Sequence, residues 1–235
     1  MNYWNQFLWV IYPYLMLAIF VVGHIYRYNT DQIGWTAKSS EFLEKKSLKW
    51  GSILFHYGIL MVFGGHVVGL LVPKSLTESL GISEELYHLS AVYGGGSAGI
   101  ITLIGIFILL FRRVNDNRVR IRSSFTDMLI AVLLLIVIAM GVYNTLGSSL
   151  FAHSDFDYRD SIAPWLRGLL VFAPDPSLMN QVPLFFQLHT IFAFAIFGIW
   201  PFTRLVHVWS LPLEYLKRSY IIYRSRNAKK AVQSR

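Results

Sequence analysis

Five stretches of this chain, residues 1–26, 50–73, 86–111, 128–154 and 176–203, contain no Asp, Glu, Lys or Arg. Each is long enough for the roughly 20 apolar residues that cross about 30 Å of hydrocarbon. The stretches and their short connections take up nearly all 235 residues, which leaves no room for a separate soluble domain. The expectation is an all-α membrane protein, a single five-helix bundle over 1–235 with a basic tail from about 213 to 235. The first stretch has no Lys or Arg ahead of it, whereas a secretory signal needs a basic start, so it reads as a retained helix. The fifth helix is expected to run on to about Trp209, ahead of Pro212. Trp4, Trp9, Trp50, Trp200 and Trp209 lie near stretch ends, as interfacial anchors do.

The net charge of +8 could point to nucleic acid, but its distribution does not. Arg27, Lys38, Lys45, Lys46 and Lys49 follow the first stretch, and Arg112, Arg113, Arg118, Arg120 and Arg122 follow the third. Arg204 and seven more Lys and Arg from Lys217 to Arg235 follow the fifth. With five helices these eighteen cations share one side, and only Lys74, Arg159 and Arg167 remain for the other. The positive-inside rule then puts the amino terminus outside and the basic tail in the cytoplasm.

Against this background four histidines stand out, because an imidazole within a membrane segment is a functional-site candidate. His56 and His66 lie in the second helix; His189 and His207 lie in the fifth. The two helices are antiparallel, so equal depth pairs His56 with His207 near the cytoplasm and His66 with His189 near the outside. Rise per residue separates His56 from His66 by about 15 Å and His189 from His207 by about 27 Å, a mismatch that tilt must absorb. One imidazole pair per leaflet fits two haem irons with both axial positions filled, which favours electron transfer over O₂ binding. Zinc fits less well, since two imidazoles fall short of its usual four ligands. The absence of cysteine excludes iron–sulfur and thiolate ligation in this chain. For any single histidine, a bond to a backbone carbonyl or water is the alternative.

The remaining candidates are weaker. His24 reads as a polar interface residue and His153 as a solvated loop residue. His88, at the outer start of the third helix, could bond a quinone carbonyl and relay its proton, or simply anchor the interface. Gly58, Gly64, Gly65 and Gly69, with Gly94, Gly95, Gly96 and Gly99, let a porphyrin or a neighbouring helix approach closely. Gly94, Gly96 and Gly99 match a dinucleotide-binding pattern without the preceding strand it requires. Arg112, Arg113 and Arg204 lie at cytoplasmic helix ends, where they could meet the propionates of the inner haem or serve as topology anchors.

The segments HIYRYNTDQIGWTAKSSEFLEKKSL, LFHYGILMVFGGHVVG, the paired arginines ending the third helix, FDYR and WPFTRLVHVWSLPLEYLKRSY resemble the gamma subunit of respiratory nitrate reductase, a dihaem cytochrome b membrane anchor. The resemblance covers most of the chain. It implies two haem b groups ligated by His56, His66, His189 and His207, and oxidation of a membrane quinol, menaquinol in particular, near the outer haem, where Gly65 and His66 lie. It also implies delivery of electrons to an iron–sulfur beta subunit and a molybdenum-containing alpha subunit on the cytoplasmic face. The chain would then be one subunit of a quinol-dependent oxidoreductase in the cell membrane, with lipid and quinol as its other partners and no nucleic acid. Where the family often has a lysine early in the third helix, this chain reads YHLSAV with Leu89 in place, so His88 becomes the local quinone candidate. The same relay in another quinone-linked complex, or a haem-free membrane anchor, would share the helices.

Overall fold

A computed structural model describes residues 3–32, 34–37, 40–147 and 156–210. The basic tail, His153 and Lys38 lie outside these residues. Five helices are long and apolar enough to cross a membrane: α1 (Tyr3–Thr30), α2 (Lys46–Leu71), α3 (Glu84–Asn115), α4 (Phe125–Gly147) and the segment Leu184–Phe202. A shorter helix, α5 (Ile162–Leu170), precedes the last. Among the described residues there is no strand. Large apolar side chains such as Leu60, Phe63 and Phe107 remain exposed on the helix flanks, as lipid-facing residues must.

The helices begin and end for local reasons. Ser124 caps α4 through a reciprocal pair of bonds with Asp127, and Asp116 caps the short turn Asn117–Ile121. The last spanning helix starts at Leu184 rather than 176, because Asp175 and Pro176 open a separate tight turn, Pro176–Met179, and Pro183 supplies the N-cap. Its α-helical part, α6 (Leu184–Ile199), also stops short of the expected Trp209. Pro201 lacks the amide that would continue the ladder. The chain tightens at Trp200–Phe202, Thr203 is extended (φ −117°, ψ 177°), and a 3₁₀ stretch, Arg204–Ser210, follows. His189 and His207 therefore sit on different segments, and the 27 Å expected from one unbroken helix does not apply. The described part of α4 ends at Gly147.

Packing sets where the sites fall. A methyl group on Gly105 would run into the Phe55 backbone, and one on Gly58 into Thr102. These two glycines let α2 and α3 lie almost backbone to backbone. Ile130, Ile196 and Leu205 join α4 to α6 at the end bearing the cation-rich connections, called the basic end below. At the opposite, far end, Trp9, Trp165, Met179 and Phe194 bury themselves between α1, α5 and α6. The Trp165 indole donates to the Trp9 carbonyl at 2.9 Å.

The three far-end cations serve this architecture. Lys74 pairs with Glu84 and lies 3.5 Å from both Asp157 and Asp160. Its ammonium is held well above the ordinary lysine range, first by the Glu84 hydrogen bond and then, against the opposing effect of burial, by Asp160 and Asp157. Arg159 bonds Thr77 at 2.6 Å and lies over the Tyr87 ring, and Arg167 caps the Leu70 carbonyl at 3.0 Å.

Candidate functional site

The four membrane histidines stand in two pairs. The ring centroids of His56 and His207 are 6.1 Å apart with planes at 69°, toward the basic end. Those of His66 and His189 are 6.2 Å apart with planes at 22°, toward the far end. Two imidazoles bonded to one metal at about 2 Å each would hold their centroids roughly 6 Å apart, so both separations accommodate a shared metal.

Backbone carbonyls fix the protonation of all four rings. Nδ1 of His56 lies 2.7 Å from the Ser52 carbonyl, Nδ1 of His66 2.8 Å from that of Val62, Nδ1 of His189 3.0 Å from that of Val137, and Nδ1 of His207 2.5 Å from that of Arg204. A carbonyl oxygen only accepts, so each Nδ1 carries the proton and donates it, and each Nε2 keeps a lone pair. This is the arrangement in which a metal-binding imidazole has its tautomer and orientation set from behind. His24 differs. Its Nδ1 also meets a carbonyl, that of Phe20 at 2.6 Å, but its Nε2 accepts from the Trp209 indole at 3.1 Å. Among the described residues no group of three or more His, Asp or Glu could hold a metal ion.

The glycines divide into two kinds. Methyl groups on Gly64, Gly65, Gly94 or Gly95 would meet nothing within 4 Å. These four leave open surface on α2, next to His66, and on α3, unlike the tightly packed Gly58 and Gly105. His88, on the first turns of α3, is exposed, as is Leu89. Gly141 on α4, which sequence reasoning passed over, lies against His189: a methyl there would stand 3.1 Å from its Cε1. No periodic signal in α4 marks it.

At the basic end the arginines part company. Arg112, expected near the inner histidines, is buried and gives its donors to the connection before α2: Glu44 Oε2 at 2.7 Å, the Glu44 carbonyl at 2.7 Å, Ser40 Oγ at 3.0 Å and the Ser40 carbonyl at 2.9 Å. Its place is with that loop: one carboxylate, one hydroxyl and two carbonyls take four of its five N–H donors, which leaves little to offer an anion. Glu44 is correspondingly held below the ordinary carboxylate range: burial raises it, but the Ser47 amide, Arg112 and the Leu48 amide together outweigh burial. Arg113 and Arg204 flank the buried Asp127 at 3.7 and 3.5 Å. With Arg122, Ser40 and Ser123 they line a cavity of about 340 Å³. Burial pulls the Arg204 guanidinium below its ordinary range, Asp127 opposes this, and Arg112 adds to it. The Arg204 carbonyl is also the one that orients His207.

The chain is similar to known proteins over almost its whole length. A sequence model described as nitrate reductase gamma subunit matches residues 5–226. The chain is 52% identical over 226 residues to the nitrate reductase gamma chain of Bacillus subtilis (strain 168), covering 95% of this chain and 99% of that protein. It is 36% identical over 228 residues to the respiratory nitrate reductase 1 gamma chain of Escherichia coli (strain K12), covering 97% of this chain and all of the other. It also matches the nitrate reductase-like protein NarX of Mycobacterium tuberculosis at 40% identity over 223 residues, which is 94% of this chain but 34% of NarX.

Proposed function

This chain belongs to the nitrate reductase gamma subunit family, multi-pass membrane subunits of the respiratory oxidoreductase, and from that premise we propose that it oxidises quinol at its far end, outside the cytoplasm, and delivers the electrons at its basic end to an iron–sulfur subunit and through it to a molybdenum subunit. In this reading His56 and His207 hold one haem b, and His66 and His189 hold a second. Bound there, haem would supply one-electron carriers.

One observation carries the reading. Four imidazoles in two pairs each turn Nδ1–H to a carbonyl and, among the described residues, have no hydrogen-bond partner at Nε2, while His24, of similar local geometry, has both nitrogens engaged. The chain's own residues then divide the work. The carbonyls of Ser52, Val62, Val137 and Arg204 fix tautomer and ring direction. Arg113, Arg122 and Arg204 line the basic-end cavity and are the cations there for propionates. The surface opened by Gly64 and Gly65 beside His66 admits a flat ring from the lipid. Oxidising one quinol, menaquinol in this reading, releases two electrons and two protons from its hydroxyls, and exposed His88 is the nearby base that takes a proton toward the outside. The charge asymmetry of the loops supports a cytoplasmic basic end. Electrons travelling inward while protons leave outside separate charge, worth about 2.3 kcal/mol per charge per 100 mV.

The test is haem content. A pyridine-haemochrome assay on the purified complex should give two haem b per gamma chain, and a value near zero would overturn the reading.

A further inference from the structure

Of the four paired histidines, His56 and His66 bond carbonyls four residues back on their own helix, and His207 bonds one three residues back. His189 instead crosses to another helix, where its Nδ1 reaches the Val137 carbonyl of α4 at 3.0 Å. That carbonyl is the one an α-helix assigns to the amide of residue 141. Residue 141 is glycine, and a methyl there would stand 3.1 Å from His189 Cε1 and 3.6 Å from Nδ1. The absence of a side chain at 141 therefore uncovers a carbonyl already in use within α4 and gives the imidazole room to share it.

We infer that Gly141 is a positioning residue for the far-end site: by leaving the Val137 carbonyl open to His189, it makes α4 set the tautomer and ring direction of that ligand. The inference rests on the far-end pair holding haem. Gly141 itself touches neither haem nor quinol; it acts through His189. A proton donated to a carbonyl makes the imidazole a stronger electron donor to iron, which lowers the reduction potential. Crowding the ring away from Val137 should raise it.

The experiment is Gly141→Ala in the whole complex, read by redox titration and by the low-spin haem signals in electron paramagnetic resonance. A contact at 3.1 Å yields to a displacement of a few tenths of an ångström, and alanine favours helix over glycine, so the variant should accumulate with both haems. The far-end haem should shift its potential upward and change its signal, and the basic-end haem should keep both. Gly99→Ala is the control, because a methyl at 99 meets Val142 of α4 and no histidine; it should leave both signals in place. If Gly141→Ala leaves the far-end haem unchanged, or if Gly99→Ala reproduces its effect, the inference is wrong. Should Gly141→Ala fail to accumulate, the double variant Gly141→Ala, His189→Ala has no ring to displace and should accumulate as well as His189→Ala alone; a lower level would make Gly141 a packing residue and overturn the inference. Haem content of the unaltered complex tests the underlying reading separately.

Discussion

The Trp209 indole donates to Nε2 of His24 at 3.1 Å, closing the one nitrogen that the paired histidines leave open. The ring of His24 also packs against Phe20 and Trp35. An imidazole with a carbonyl on one side and an indole on the other is a structural residue of the α1 terminus. His24→Gln should therefore keep two haems per chain and full quinol-dependent nitrate reduction. Loss of either haem in this variant would remove the distinction between His24 and the other four. The check is a haem assay alongside quinol-linked turnover.

His66→Ala makes the opposite case. It should remove the far-end haem, leave the basic-end haem in place, and abolish nitrate reduction driven by quinol. Reduction driven by an artificial donor that reaches the cytoplasmic subunits directly should continue at close to the original rate. Full quinol activity in this variant would contradict the proposed route.

The Arg112–Glu44 pair yields a stability prediction. Arg112 is only 5% exposed, so Glu44→Ala leaves a buried guanidinium without its carboxylate. Breaking such a pair costs about 3–5 kcal/mol, and the carbonyls of Ser40 and Glu44 that still hold Arg112 place this case at the lower end. The sign with pH follows from the depressed Glu44 carboxyl. Its contribution is complete above the unfolded value of about 4.3 and is lost as pH falls through the lower folded value. Thermal unfolding in detergent should show a loss of stability below about pH 4 that Glu44→Ala lacks.

Two glycines on neighbouring helices should respond oppositely to the same change. Gly105→Ala forces a methyl into the Phe55 backbone and should cost about 1–3 kcal/mol by overpacking α2 against α3. Beyond its own helix turn, Gly64→Ala meets no atom of the described residues within 4 Å, so the chain should accumulate normally. Any change in the quinol KM or the haem spectrum of Gly64→Ala then reports what occupies that open surface. Equal losses of stability in the two variants would show that Gly64 is packed as tightly as Gly105.

Much of the architecture is visible in the sequence, since crossing hydrocarbon requires long runs without charge and all five spans announce themselves that way. Depth ordering along antiparallel helices groups the histidines without coordinates. What escapes is cooperative. α5 lies in a region bearing Arg167 and Pro164, so a search for uncharged runs passes over it, although Trp165 is almost wholly buried. The stop at Ile199 comes from one missing amide at Pro201, in a stretch otherwise apolar enough to suggest a continuous helix. Arg112 is one of two adjacent arginines with the same local sequence, and only the path of the loop holding Ser40 and Glu44 decides that it turns there while Arg113 turns to Asp127. Gly141 matters because of a ring on another helix, a relationship that no spacing within α4 encodes.

The break at Pro201 has an electrical consequence. His189 is carried by a rigid helical rod, whereas His207 rides on a separate segment beyond a bend. A twist that retunes one imidazole is not transmitted along a common shaft to the other. In the proposed relay, His189 and His207 can therefore be retuned separately, while α2, which carries both His56 and His66, remains the element that the two sites share.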